Sequence, residues 1–232
     1  MFKILGRIVY KLFKIEIRFK GNWQKDYKWL LDYKFNTILD IGANEGQFAS
    51  KMRLFFPQAK ICSFEPIQSV YQILTNNFLN DSNFRAYPLG LGDENMETQF
   101  YENESSASSS LLRMKDHTAH FDKALQTKPI SITVKRLDEV LANEPLPKPM
   151  LVKIDVQGFE DKVIAGGKEI LSKADLIVCE VSFTQLYEGQ KLFDDIYATL
   201  TALGFSYAGN LEQLHSPANN AVLQADAIFI KK

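Results

Sequence analysis

From residue 37 onward, short apolar runs alternate with amphipathic stretches. Thr37–Gly42 reads as a first strand, and Gln47–Phe56 as a helix with Phe48, Met52, Phe55 and Phe56 on its apolar side. Lys60–Glu65 is a second strand, Pro66 suits the start of a helix over 67–79, and Phe84–Leu89 is a third strand. The alternation then breaks. Met96–Tyr101 and Ile130–Arg136 are extended segments flanking a serine-rich polar stretch, Glu102 to Lys128, which predicts an inserted hairpin and loop over 95–136. Leu137–Leu141 is a short helix, and Pro145, Pro147 and Pro149 form a stiff connector to a fourth strand, Met150–Asp155. A helix over 159–171, a fifth strand at Ala174–Val181, a helix over 189–203 and a closing pair, Phe205–Ala208 with Ala225–Ile230, complete the chain. Such alternation implies an α/β fold, a mostly parallel sheet with helices on both faces.

The most informative stretch is Asp40-Ile41-Gly42-Ala43-Asn44-Glu45-Gly46. It is a strand end, a tight loop and a helix N-terminus, an arrangement that presents backbone N–H groups to a small cofactor. The spacing Gly42-x-x-x-Gly46 matches neither the dinucleotide fingerprint nor a phosphate loop, so a nicotinamide dehydrogenase is excluded. An acid before the loop suits a cationic or hydroxyl-bearing ligand. S-adenosylmethionine, with its amino-acid head and sulfonium, fits.

In an open α/β sheet the ligand lies outside the carboxyl ends of the strands. Those ends supply Asp40 and Gly42, Glu65, Leu89 and Gly90, Asp155, and Glu180. Glu65 lies 25 residues past Asp40, about where a second-strand acid takes a ribose diol, although it also suits a helix cap. Asp155-Val156-Gln157-Gly158-Phe159-Glu160 aims a carboxylate from a strand end into the cleft. Glu160, in the first helical turn, is either functional or simply favoured there by the macrodipole. Lys153, on the same strand face as Asp155, reads as a buried ion pair ahead of a catalytic lysine. Asp155 and Glu180 are open to two readings: base and orienting acid, which is favoured because no third acid is obvious nearby, or ligands of a divalent cation. His117 and His120 read as solvated loop residues, with a base delivered by loop closure as the alternative, and Ser105–Ser110 as hydroxyls for a polar acceptor.

Charge sharpens the picture. Of 232 residues, the first 34 hold nine Lys/Arg and three Asp/Glu, a balance of +6. The remainder hold eighteen and twenty-five, a balance of −7, which argues against a nucleic-acid groove. Residues 1–20 combine Leu5, Ile8, Leu12 and Ile15 with six basic residues; they read as an amphipathic helix either for an anionic membrane surface or docked on the domain. Cys62 and Cys179 sit in separate strand-like runs; if those strands lie three places apart in the sheet, about 14 Å separates them, too far for a disulfide. Two reduced thiols and no spanning segment point to a cytoplasmic protein, peripheral at the inner membrane face if the arm binds there.

Ile38–Gly46, Phe64-Glu65-Pro66, Gly90-Leu91-Gly92-Asp93 and Leu151–Glu160 occur in the order seen in a known family. Ser105–Leu111, Leu137-Asp138-Glu139, Cys179–Ser182 and Ala225–Phe229 add to the likeness. The chain resembles an FkbM-family methyltransferase over about residues 36–230. The departure is Gly90, where alanine is more usual. The resemblance implies a Rossmann-like class I fold of seven strands, the last antiparallel, with residues 1–34 as arm and 35–232 as the methyltransferase domain. It implies O-methylation of a sugar, glycolipid or polyketide hydroxyl. Gly42, Ala43, Asn44 and Gly46 would then hold the methionine moiety, Glu65 the ribose, and Leu89 and Gly90 the adenine edge, with Asp40, Pro66 and Asp155 also in the cofactor site and Asp155, Glu180 and Glu160 at the catalytic end. A non-catalytic S-adenosylmethionine-binding module is the alternative of a different class. The acceptor itself and the oligomeric state are not legible.

Overall fold

In the computed structural model, described for residues 27–103, 110–112 and 127–232, the strand-forming runs assemble into two sheets. The strands are β1 Thr37–Ile41, β2 Lys60–Phe64, β3 Phe84–Tyr87, β4 Gly90–Leu91, β5 Met96–Asn103, β6 Thr127–Lys135, β7 Met150–Ile154, β8 Leu176–Ser182, β9 Phe205–His215 and β10 Val222–Lys231. The helices are α1 Gln47–Phe55, α2 Gln68–Asn77, α3 Leu137–Val140, α4 Glu160–Gly166, α5 Lys168–Leu171 and α6 Phe193–Ala202, with a 3-10 helix at Lys28–Tyr33. Residues 33–232 form one compact unit. The amphipathic reading of residues 1–20 and the readings of Ser105–Ser109, His117 and His120 lie outside the described residues.

The large sheet has seven strands in the order β3-β2-β1-β7-β8-β10-β9. All run parallel except β10, which is antiparallel to both β8 and β9. This is the Rossmann-like class I architecture, with the last strand reversed. β4, β6 and β5 make a second, three-stranded sheet, in which β5 and β6 pair antiparallel from Met96↔Val134 to Asn103↔Thr127. Among the described residues no helix is long and apolar enough to cross a membrane.

Because side chains alternate along a strand, each strand of the large sheet divides between two faces. Leu39, Ile41, Cys62, Phe64, Val152, Ile154, Ile177, Cys179, Val181, Ala225, Ala227 and Phe229 form one face and the main core. The opposite face carries Ser63, Asp40, Lys153, Glu180 and Asp226 among its apolar residues, with Asp40 registered on Ser63 and Lys153, and Asp226 on Glu180. The acids and the lysine inside these strands therefore lie on one side of the sheet. Cys62 and Cys179, on the core face of β2 and β8, are buried free thiols three strands apart.

The structure adjusts several boundaries. The third strand ends at Tyr87 because Pro88 has no N–H and Leu89 turns back to the Tyr87 carbonyl at 2.9 Å. Gly90–Leu91 then passes to the second sheet. The helix expected over 159–171 is two short helices, broken at the Gly166-Gly167 pair, the weakest helix formers in the segment. Helix α6 starts late because Gln190 locks the preceding loop. Its Oε1 accepts from the Leu186 and Tyr187 N–H groups at 3.1 and 3.3 Å, and its Nε2 donates to Ser182 Oγ at 2.7 Å. Strand β9 runs to His215 with polar residues because it is the solvent-exposed sheet edge, where alternation is weakly constrained.

Candidate active site

The exits of β1, β2 and β7 meet in one place. The β1 loop turns through left-handed backbone at Gly42, Asn44 and Gly46, with φ of 78°, 49° and 89°. Gly42 and Ala43 N–H groups donate to the Phe64 carbonyl at 3.1 and 2.9 Å, which ties the loop to the end of β2. A Cβ at Gly46 would lie 2.6 and 2.8 Å from the Phe78 and Leu74 side chains, so the loop settles directly onto α2 and the residues after it.

Glu65, 6 % exposed, accepts from Asn44 N–H at 3.0 Å and from Ile67 N–H at 2.8 Å. It therefore tethers the β1 loop and caps the entry to α2 at once, and each oxygen retains a further lone pair. Burial raises its carboxyl to about 7, against the two backbone donors. Pro66 lies beside Gly90, which also packs on Ile132 and Val134 of the second sheet, while Leu89 packs against the main core. The residues expected to hold a cofactor thus gather at the exits of β1, β2 and β3.

Asp40 is 1 % exposed, and its Oδ2 has no hydrogen-bond partner. Burial raises its carboxyl to about 6, with Lys153 opposing and Asp155 adding to the shift. A buried acceptor oxygen without a donor costs free energy unless a ligand supplies one. Asp40 Oδ2 is such an oxygen, two residues before a loop whose backbone N–H groups, expected to face a cofactor, are instead bonded within the protein. Such an oxygen suits the ammonium of an amino-acid moiety.

The second cluster lies at the ends of β7 and β8. Asp155 Oδ2 accepts from Lys153 Nζ at 2.7 Å, and Lys153 also stands 3.6 Å from Asp226 Oδ1. The Gln157 amide Nε2 donates to Asp155 Oδ1 at 2.9 Å and to both Glu180 oxygens at 3.0 Å, while its Oε1 accepts from Tyr187 OH at 2.8 Å. Burial, then Asp155 and Glu160, push the Glu180 carboxyl well above the ordinary carboxylate range. Asp155 and Glu180 are both half-buried, so the pair still opens to solvent.

Residues 40–207 match the Methyltransferase FkbM domain. The chain belongs to the FkbM methyltransferase family. It is 33% identical over 168 residues to the 2-O-methyltransferase NoeI of Sinorhizobium fredii, covering 69% of each chain. It is 25% identical over 148 residues to the hexuronic acid methyltransferase AglP of Haloferax volcanii, a match that spans 63% of this chain and 56% of that one. The fold resembles the crystal structure of methyltransferase FkbM from Methylobacillus flagellatus, with a TM-score of 0.54 at 13% identity, over 85% of this chain and 44% of that one.

In this FkbM-family chain Glu160 turns inward. Its carboxylate accepts from Val156 N–H at 3.0 Å and from Gly158 N–H at 3.1 Å, and burial raises it to about 7. Both oxygens are engaged by the loop that carries Asp155, which makes Glu160 a brace for that loop. Among the described residues no three His, Cys, Asp or Glu side chains are placed to hold a metal ion. Lys153 and Gln157 occupy the donor positions between the acids instead. Sequence reasoning assigned no role to Gln157, Tyr187 or Asp226. Polar residues inside otherwise apolar strands or motifs were the available signal for Gln157 and Asp226. Tyr187, in a loop, carried none. Ser110, the described end of the serine run, donates from Oγ to the Gln157 carbonyl at 2.6 Å and so joins the insert to this cluster.

Proposed function

We propose that this methyltransferase transfers the methyl group of S-adenosylmethionine to a neutral hydroxyl of a sugar or similar small polyhydroxyl acceptor. The single observation that carries the reading is the pairing of an orphaned buried carboxylate, Asp40 Oδ2, with a carboxylate pair, Asp155 and Glu180, at neighbouring strand ends. One end offers an anion to a bound cation; the other offers a base.

S-adenosylmethionine, when bound, supplies a methyl group activated by a sulfonium. The residues have distinct tasks toward it. Asp40 accepts from the ammonium, the Gly42–Gly46 loop borders the methionine moiety, Glu65 uses its remaining lone pairs on the ribose hydroxyls, and Leu89 and Gly90 border the adenine. Such a transfer rests mainly on positioning. An alcohol acceptor must also lose a proton as the new C–O bond forms.

Glu180 is the better base of the pair. Asp155 is committed to the ammonium of Lys153, whereas Glu180 is held only by amide donors and has its proton affinity raised by burial and by Asp155. Glu180 takes the hydroxyl proton, and Asp155 orients the pair through Gln157. Among the described residues, Lys153 is the one cation in this cluster, and it is already paired with Asp155 and Asp226. An acceptor carboxylate would meet acids there, so a neutral hydroxyl fits better. The name of the 2-O-methyltransferase NoeI, the relative sharing 33% identity, supports an oxygen acceptor.

The test incubates the protein with methyl-labelled S-adenosylmethionine and cell extract, then counts label in organic, aqueous and macromolecular fractions. Label in small glycans or glycolipids, lost in Glu180→Gln, is the expected result. Label in nucleic acid or protein, or none in any fraction, would overturn the reading.

A further inference from the structure

The Asp155–Glu180 pair is built around a residue that the transfer reaction does not itself require. Gln157 follows β7 in left-handed backbone, with φ of 55°, a conformation rarely adopted by residues with a Cβ. Three elements hold it there. Ser110 Oγ, from the insert, donates to its carbonyl at 2.6 Å; Tyr187 OH, from the β8–α6 loop, donates to its Oε1 at 2.8 Å; and Glu160, on α4, accepts from the N–H groups of its two neighbours. Its Nε2 then lies 2.9 Å from Asp155 Oδ1 and 3.0 Å from each Glu180 oxygen. The orientation of the amide follows from this set. A flipped group would turn Oε1 against three carboxylate oxygens.

We propose that Gln157 is the positioning residue of the carboxylate pair: its amide nitrogen stands between Asp155 and Glu180 and keeps the two from sharing a proton. The inference rests on the reading of Glu180 as the base. Two carboxylates in direct contact hold one proton jointly, so neither is free to accept another from a substrate. With one amide hydrogen on Asp155 and the other on Glu180, each acid keeps its own hydrogen bond. Tyr187 fixes the amide from behind, and Ser110 fixes its backbone from the insert.

The charged and titratable groups around the pair come from every neighbouring strand. Lys153 on β7 bonds Asp155 and stands 3.6 Å from Asp226 on β10, and Asp40 on β1 is registered on Lys153. Glu160 on α4 and Tyr187 complete the set around Glu180, and Glu212 on β9 bears on Asp226. Among the described residues, it is the Gln157 amide that donates to the Glu180 carboxylate.

The test needs neither acceptor nor methyl transfer, so its outcome is separate from that of the labelling experiment. Protein carrying carboxyl-13C aspartate and glutamate is titrated by NMR, with the Glu180 signal assigned from Glu180→Gln. The full-length protein is expected to show Glu180 titrating in one step. In Gln157→Met, of similar length but without a donor, the Glu180 curve should split into two steps separated by more than about one pH unit. Tyr187→Phe, a milder change, should move the Glu180 curve in the same direction by a smaller amount and serves if Gln157→Met does not fold. A Glu180 curve unchanged in the folded variants would overturn the proposal.

Discussion

A Cβ on Gly42 would stand 1.8 Å from the backbone carbonyl oxygen of Asp155. The Gly42–Gly46 loop, proposed to border the cofactor, and the loop that carries Asp155 are thus in backbone contact, and Asp155 N–H also donates to the Ile41 carbonyl at 3.0 Å. Binding geometry at one cluster is set by the other. Gly42→Ala adds a methyl group to this contact, at a φ of 78° that disfavours any side chain. It should cost about 3 kcal/mol of stability and abolish binding of S-adenosylhomocysteine. Urea denaturation and calorimetry check both; wild-type values in either would show that the two loops are not in this contact.

Asp40→Asn separates charge from shape. The ammonium of S-adenosylmethionine loses a charged acceptor worth roughly 1.5–3 kcal/mol, so the dissociation constant should rise about ten- to a hundredfold. Above about pH 7 the ligand-free variant should also melt higher than wild type, because it no longer buries a carboxylate lacking a partner at one oxygen. Calorimetry with S-adenosylmethionine gives the first result and a melting curve the second. An unchanged dissociation constant removes Asp40 from the pocket.

Ligand-free stability should depend on pH in a defined direction. Burial raises Asp40 from 3.8 to about 6 and Glu65 from 4.5 to about 7. In those windows the folded state binds more protons than the unfolded state, so stability is fully present below the unfolded values and falls as pH rises through the folded ones. Each group accounts for about 3 kcal/mol. The thermal midpoint should drop between about pH 4 and pH 7. Asp40→Asn and Glu65→Gln should each flatten that slope. A slope untouched by both substitutions would place its origin elsewhere.

Lys153→Met should be among the most damaging changes outside the apolar core. It leaves Asp155 and Asp226 without their shared ammonium, and unpairing a buried ion pair costs about 3–5 kcal/mol. Adding Asp226→Asn should restore part of the loss, since one of the stranded carboxylates is then neutral. Chemical denaturation of the two single variants and the double variant measures this coupling. Simple additivity would show that Lys153 and Asp226 act independently.

Much of the frame was legible because it depends on local physics. Thr37–Ile41, Lys60–Phe64 and Met150–Ile154 are apolar, β-branched runs that a buried parallel strand requires. The acids Asp40, Glu65, Asp155 and Glu180 sit at or near the ends of such runs, where chain direction alone sends them toward the cleft. The edge strand β9 was legible only over its first residues. Exposure lifts the demand for alternation that makes a strand visible.

The sequence by itself determined the order of strands and helices, the glycine-spaced β1 loop, the acids at the strand ends and the family likeness. These follow from periodicity, from the steric needs of tight turns and from residue type at fixed spacing. Only the tertiary structure decided what each acid is bonded to. Asp226 meets Lys153 because β10 inserts antiparallel beside β8, a pairing that joins residues 73 positions apart. Glu160 bends back onto its own loop, and Gln157 joins its neighbour Asp155 to Ser110, Tyr187 and Glu180 from three other segments. Hydrogen-bond partners depend on distances of about 3 Å between chain segments. Strand order and loop path set those distances, and neither leaves a local trace in the chain.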